Sequence, residues 1–272
     1  MIEESNQNIS PSRQAFLLDI SRSSLSYEPR VNERDVAAMH ALDEIYTRSP
    51  FYGSRRMRVE LEHEYNLSLC RDHIRRLMRV MGLQAVYPRK NPNTSLGNRE
   101  HVKFPYLLKN ITITHPDQVW GTDITYIRLK NGFAYLSALL DWFSRYVVSW
   151  KLSPSLETRF CTETLNDALE KGKPEMHNSD QGVQYTSEEY VETLQENDIT
   201  ISMDGRGRCM DNIFTERLWR TVKYEDVYLH EYGTLEEARS GLSEYFRFYN
   251  EKRRHQSLEY RTPADVYFSK RT

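Results

Sequence analysis

Three carboxylates, Asp123, Asp180 and Glu216, stand in local contexts that suit metal-assisted chemistry better than a solvated charge run. Asp123 lies within VWGTDITYI, a strand-like run where an ionised side chain is costly unless paired or bound to a cation. Asp180 closes PEMHNSD, just ahead of the turn residues Gln181 and Gly182, and Glu216 lies within DNIFTERLWRTVKYE, which reads as a helix. Hard divalent cations prefer carboxylate oxygens and keep positions open for water and substrate phosphate. Two such ions about 3.5–4 Å apart stabilise both the attacking and the leaving oxygen of an in-line phosphoryl displacement. The chain has 39 acidic residues, so spacing alone does not single these three out and the surrounding words must carry the argument.

The helix around Glu216 has a readable phase. At ~100° per residue, Asn212, Glu216, Trp219 and Lys223 share one broad stripe, with Phe214 and Leu218 opposite. Lys223 follows Glu216 by about 10 Å along the axis at ~1.5 Å per residue, a reach suited to a DNA phosphate. Both charges also fit an ordinary amphipathic surface, although Trp219 is unusual on a solvated face. The preceding loop, SMDGRGRCMD, reads equally as a mobile segment closing over DNA or as a plain connector.

The elements that must position these acids follow from the pattern after residue 117. DQVWGTDITYIRL and FAYLSALLD flank Lys130-Asn131-Gly132, and Asn-Gly is a strong hairpin signal. RYVVSWKL makes a third strand, and short connections require all three to be antiparallel. A helix near 157–171 crosses over to PEMHNSD, which is then parallel. SEEYVETLQEN forms a further helix and ITISM a fifth strand. The predicted class is α/β, a five-stranded mixed sheet with flanking helices. Asp180 falls where a parallel strand ends, the usual place for ligand sites in such sheets.

The front half reads differently. Residues 1–50 form an N-terminal helical region, and 51–92 a helix-turn-helix in which Gly82 ends the second helix. Arg71, Arg75, Arg76 and Arg79 share one face of that helix, opposite Ile74, Leu77, Met78 and Met81. Such a face suits a DNA major groove, and it also suits a solvated side of a small bundle. Residues 93–114, rich in Asn, Pro and Gly at their start, are expected to be a linker, and 115–272 the catalytic core with a basic tail containing Arg247, Lys252, Arg253 and Arg254. That tail reads as backbone contacts to DNA or as a solvated end. His177 is expected to be structural, and His255 to touch DNA or nothing.

Composition narrows the setting. Net charge is −2, which counts against an indiscriminate nucleic-acid binder, yet residues 1–110 carry +4 and the remainder −6. No apolar run approaches the ~20 residues of a membrane span, and the polar, acidic start is not a signal peptide. Three scattered cysteines without a CxxC point to a reducing, cytoplasmic setting and give no structural zinc site.

WGTDITYI, LDWFSR, NSDQGVQYTS, DNIFTERLWRTVKYE, YNEKRRHQSL and YRTPADVY occur in that order. Together they resemble the bacterial insertion-sequence transposases of the IS-three family, in the DDE superfamily that includes retroviral integrases. The YGSRRM…RRLMRVMGL run resembles the helix-turn-helix preceding the core in that family. The resemblance implies an RNase H-like core in which Asp123, Asp180 and Glu216 bind two Mg²⁺ or Mn²⁺ ions. It implies that Lys223 contacts DNA near the scissile phosphate, and that Asn212 and Gln181 support the site or the DNA end. The implied partners are terminal inverted repeats and target DNA, with the enzyme a homo-oligomer on DNA. It further implies cleavage that frees a 3′-OH, then transfer of that hydroxyl. Family members are commonly frameshift fusions, so this chain, which begins at Met1 and shows no heptad run, is expected to be the downstream product, with the upstream product as fusion or partner. Two other readings remain: a catalytically silent regulator occupying the element's ends, and an RNase H-type nuclease.

Overall fold

The computed structural model describes residues 9–21, 32–86, 104–204 and 212–269. The chain divides into two compact units, Met1–Arg48 with Met57–Gln84, and Ser49–Arg56 with Ala85–Thr272.

The first unit is helical. Ser10 caps α1 (Pro11–Leu17), whose proline sits at the helix start where its missing N–H costs nothing. α2 (Glu33–Arg48), α3 (Ser54–Tyr65) and α4 (Arg71–Val80) follow. Ala38, Leu42 and Ile45 of α2, Met57 and Leu61 of α3, and Ile74 and Leu77 of α4 are buried. Asp35 in the first turn of α2 accepts from Arg76 (2.5 Å) and pairs with His73 (2.7 Å) of α4. α2 therefore belongs to the same packed unit as α4, and residue 50 does not divide the helices as expected. Gly82, at φ +71°, turns the chain out of α4 in a left-handed conformation open to glycine.

The second unit is an RNase H-like mixed sheet of five strands. β1 (Val119–Leu129), β2 (Gly132–Asp141) and β3 (Val147–Ser153) pair antiparallel, while β4 (Met176–Ser179) and β5 (Thr200–Met203) are parallel to β1, in the order β3-β2-β1-β4-β5. Lys130 and Asn131 form the predicted hairpin turn, with Leu129 opposite Gly132. α5 (Thr158–Leu169) makes the crossover and α6 (Glu188–Glu196) joins β4 to β5. α7 (Ile213–Val222) continues through a π-helical turn, Lys223–Val227, into α8 (Tyr228–His230). α9 (Leu235–Glu251) and α10 (Pro263–Ser269) complete the unit.

Side chains alternate across a strand, and here the two faces have different partners. Val119, Ile127, Ala138 and Leu140 pack with Leu218, Val222, Leu242 and Phe246 from α7 and α9. Trp120, Leu139 and Val148 pack with Phe160, Leu165, Tyr190 and Leu194 from α5 and α6. Asp123 shares the parity of Val119 and Ile127 and so faces α7. Residues 104–114, expected as linker, instead lie against this core. Leu107 N–H donates to Ser202 Oγ (3.1 Å), and Leu108 is buried.

The C-terminal basic cluster requires a correction. Arg253 is 4% exposed and grips Glu225 of the π-turn through Nε (2.6 Å) and Nη2 (2.7 Å). Arg56 and Tyr245 also donate to Glu225 (2.9 and 3.0 Å). Arg253 therefore holds the fold together and presents nothing to DNA. His255 is likewise structural, accepting from Arg253 Nη1 at 2.8 Å, and burial pushes its pKa down to about 2. Arg254 is half-buried and donates to the Tyr260 carbonyl (3.3 Å), whereas Arg247 and Lys252 stay exposed. No described helix is long and apolar enough to cross a membrane.

Removing one partner of a buried pair leaves the other charge unmatched. Arg253→Met should cost about 3–5 kcal/mol in urea unfolding at pH 7. Its burial alone would raise Glu225, but Arg253 holds it below the usual carboxylate range, so the pair's contribution is present above Glu225's unfolded pKa and fades as pH falls. The gap between variant and wild type should shrink in acid, with the salt dependence of DNA binding unchanged.

Candidate active site

Strand register brings two of the three acids together. Gly121 pairs with Asn178 across the parallel β1–β4 ladder. Two residues further along each chain are Asp123, inside β1, and Asp180, just past the end of β4. Asp180 is fixed by its own turn: Gly182 N–H donates to its Oδ1 at 2.9 Å, and Tyr185 and Thr186 N–H close on the Gly182 carbonyl.

α7 crosses the face that Asp123 occupies. A Cβ at Gly121 would collide with Trp142 Nε1 and stand 3.1 Å from Thr215 Oγ1, so the glycine permits this close approach of helix and strand. One turn later, Trp219 Nε1–H donates to Asp123 Oδ2 at 2.9 Å, and Ile124 N–H donates to Oδ1 at 2.8 Å. Asn212, at the start of α7, is buried and donates Nδ2–H to the Thr122 carbonyl (3.3 Å). Among the described residues its Oδ1 has no hydrogen-bond partner.

The electrostatics single out Asp123. Burial and then the Asp180 charge raise its pKa to about 7, with Glu216 adding a smaller push and Trp219 and Ile124 opposing. Burial also raises Asp180 and Glu216, although both keep surface exposed to solvent. Lys223, half-buried, is lowered by burial and partly restored by Asp123. Among the described residues, no three acidic, His or Cys side chains converge closely enough to hold an ion as they stand. The donor set nonetheless fits a hard cation: carboxylate oxygens only, two of them on adjacent strands, with a half-buried lysine as the compensating charge.

Other expected site residues are placed as follows. Gln181 is half-buried and donates to the Asp204 carbonyl (3.0 Å). Arg71, Arg75, Arg76 and Arg79 all lie on the exposed side of α4, although Arg76 is also paired with Asp35. Trp219 is buried, where the helical phase had placed it on the open stripe with Glu216. His177 is structural, as expected: buried, bonded to Tyr190 Oη (3.0 Å) and pushed down to about 3 by burial. The loop before α7 lies outside the described residues from 205 to 211. Sequence reasoning missed the Trp219 clamp and the Gly121 gap, although WGTD carries a signal, since a glycine two residues before an acid shares its face.

Family models for the integrase core domain match residues 113–209 and 197–263, and one for an HTH-like domain matches 33–91. The transposase of IS904 from Lactococcus lactis is 31% identical over 79% of this chain and 86% of its own length. The chain belongs to the insertion-sequence transposases of the IS-three family. The IS3A transposase of Escherichia coli is 29% identical over 75% of this chain and 72% of its own. The HTLV-2 integrase catalytic core, solved with magnesium, is 18% identical over 57% of this chain and 98% of that one, with a TM-score of 0.47. The integrase-core and transposase matches make this transposase a DDE-type polynucleotidyl transferase, and its HTH-like match begins in α2.

A carboxyl whose folded pKa exceeds its unfolded value of about 3.9 favours folding in acid and loses that contribution as pH rises through about 7. Metal-free Asp123→Asn should therefore be more stable than wild type at pH 8 by on the order of 4 kcal/mol, and unfold at a higher temperature. The difference should close toward pH 4. Calorimetry across that range checks it, and Mg²⁺ at pH 8 should raise the wild-type melting temperature much more than the variant's.

Proposed function

We propose that this transposase cleaves DNA at the ends of its insertion sequence and transfers the freed 3′-OH to a new phosphodiester, using Asp123, Asp180 and Glu216. The observation that carries this reading is a half-buried carboxylate, Asp123, repelled by Asp180 at the end of the adjacent strand and offset by Lys223. An arrangement of that kind costs stability unless a cation or phosphate completes it.

The three carboxylates would hold two Mg²⁺ ions, or Mn²⁺ in their place. When bound, such ions supply charge stabilisation for the attacking and leaving oxygens. The chain's own groups do the rest. Trp219 and Ile124 N–H fix the Asp123 carboxylate, Gly182 N–H fixes Asp180, and Asn212 ties the start of α7 to β1 beside Asp123. Lys223, held half-dry beside Asp123, meets a phosphate oxygen of the DNA. In each step an oxygen of water or of a terminal 3′-OH forms a P–O bond as the bond to the 3′ oxygen breaks, with no covalent enzyme intermediate. The exposed arginines of α4 recognise the terminal repeats, and the enzyme acts in the cytoplasm as a homo-oligomer on DNA.

Asp180→Asn should bind end-containing oligonucleotides normally while losing Mg²⁺-dependent nicking and joining by at least about a hundredfold. Full joining by that variant would sink the assignment and favour a silent regulator. Exposed arginines that neutralise phosphates release counterions. Arg75→Ala with Arg76→Ala should therefore weaken end binding and lower the slope of log K against log salt by up to about 2. An unchanged slope in a fluorescence-anisotropy titration would reduce α4 to scaffold.

A further inference from the structure

A cavity of about 590 Å³ opens between residues 104–113, the turn after β2 and the start of α7. Its size falls within the ~300–1,000 Å³ of small-molecule sites. Trp142, Phe143 and Phe214 give it aromatic walls, and Arg145, Arg261 and Glu259 give it charge. Trp142 and Phe214 meet edge to face at 5.3 Å, which fixes two of those walls.

Arg145 is the unusual member. It is half-buried, its Nη1 donates to the Trp142 carbonyl, and its guanidinium stacks 3.4 Å from the Phe214 ring centre. Burial lowers its pKa to about 10, with Asp141 acting only through longer-range attraction. Among the described residues it forms no ion pair. Arg261 is exposed, its Nε donates to the Leu258 carbonyl (3.4 Å), and among the described residues it too forms no ion pair. A partly dehydrated guanidinium gains most from an anion that can reach it. Aromatic walls meanwhile accept the π-face of any base.

We propose that this cavity holds one nucleotide unit of a bound DNA strand, its base against Trp142, Phe143 and Phe214 and its phosphate on Arg145 and Arg261. The inference rests on the DNA-acting reading above but uses none of the three acids. Phe214 and Glu216 are separated by roughly 200° around α7 at ~100° per residue. The nucleotide therefore lies across the helix from Glu216 and is not the reacting one. Glu259 opposes the phosphate and limits binding to strands whose backbone reaches the arginines.

The test is ultraviolet crosslinking of the full chain to a single strand of roughly 12 nucleotides containing 5-iododeoxyuridine. Crosslinks should map to Trp142–Phe143 or to Phe214. Arg261→Gln and Phe143→Leu, which leave the Arg145 contacts in place, should each weaken binding of the unmodified strand about threefold to tenfold. Arg261→Gln should also lower the salt slope by about 0.7. Crosslinks confined to other segments, or unchanged affinity in both variants, would overturn the proposal. Deoxynucleoside monophosphate competing for the crosslink at concentrations as low as the unmodified strand requires would overturn the strand as its source. Pocket crosslinks in a chain whose Asp180→Asn variant still joins ends would leave this site standing while the active-site reading fell. Absent crosslinks with joining abolished by Asp180→Asn would do the reverse.

Discussion

A carboxylate on the inner face of a central strand is the constraint from which the rest of the core follows. Asp123 cannot be solvated freely there, so its oxygens need donors, and the sheet itself offers only the Ile124 N–H. The second donor, Trp219, must come from a helix laid across that face. A helix that close needs a gap in the strand, and Gly121 provides it where a Cβ would strike Trp142. Glu216, one turn before Trp219 on the same helix, is then delivered to the site's rim by the same packing. The parallel ladder adds Asp180, because β4 can neighbour β1 in this direction only after the α5 crossover. Fold and site are therefore one solution to a single desolvation problem.

The π-helical turn that begins at Lys223 belongs to the same logic. Single π-turns inside helices are uncommon and often fall at functional positions. Here the turn is clamped by Glu225, which receives Arg253, Arg56 and Tyr245 together. Two residues earlier, Lys223 lies within the electrostatic reach of Asp123. The buried ion cluster thus anchors the segment that carries the lysine, and of the tail's arginines it is Arg253 that does this anchoring.

Much of this was legible in the residues. Alternation and an Asn-Gly turn set out β1 and β2, the helical stretch 157–171 set the crossover, and the strand-end position of Asp180 followed from both. Arg253 was misread because composition reports a charge and not its partner. YNEKRRHQSL looks like a solvated basic run, while Glu225 lies 28 residues before Arg253 and Arg56 lies 169 before Glu225. Trp219 was misread for a different reason. Helical phase groups it with Glu216, but a broad stripe spans both a buried edge and an open one, and only the strand beneath decides which residue enters. The 104–114 segment lacked periodicity because it packs as irregular chain on the edge of β5, through contacts such as Leu107 to Ser202.

The opposite face of β1 shows why NSDQGVQYTS reads as one motif. Thr122, beside Asp123 but on the other face, donates to the Ala138 carbonyl and lies 3.4 Å from Tyr185 Oη. Tyr185 closes the turn that Gly182 opens after Asp180, and packs edge to face with Tyr190, which bonds His177. Residues on one side of the sheet thus fix the backbone from which the acids project on the other. Because burial keeps His177 neutral across physiological pH, this support adds no charge beneath the carboxylates. Asp123 consequently feels the charges of Asp180, Glu216 and Lys223, while burial keeps Cys161 and Tyr185 on the other face neutral at physiological pH.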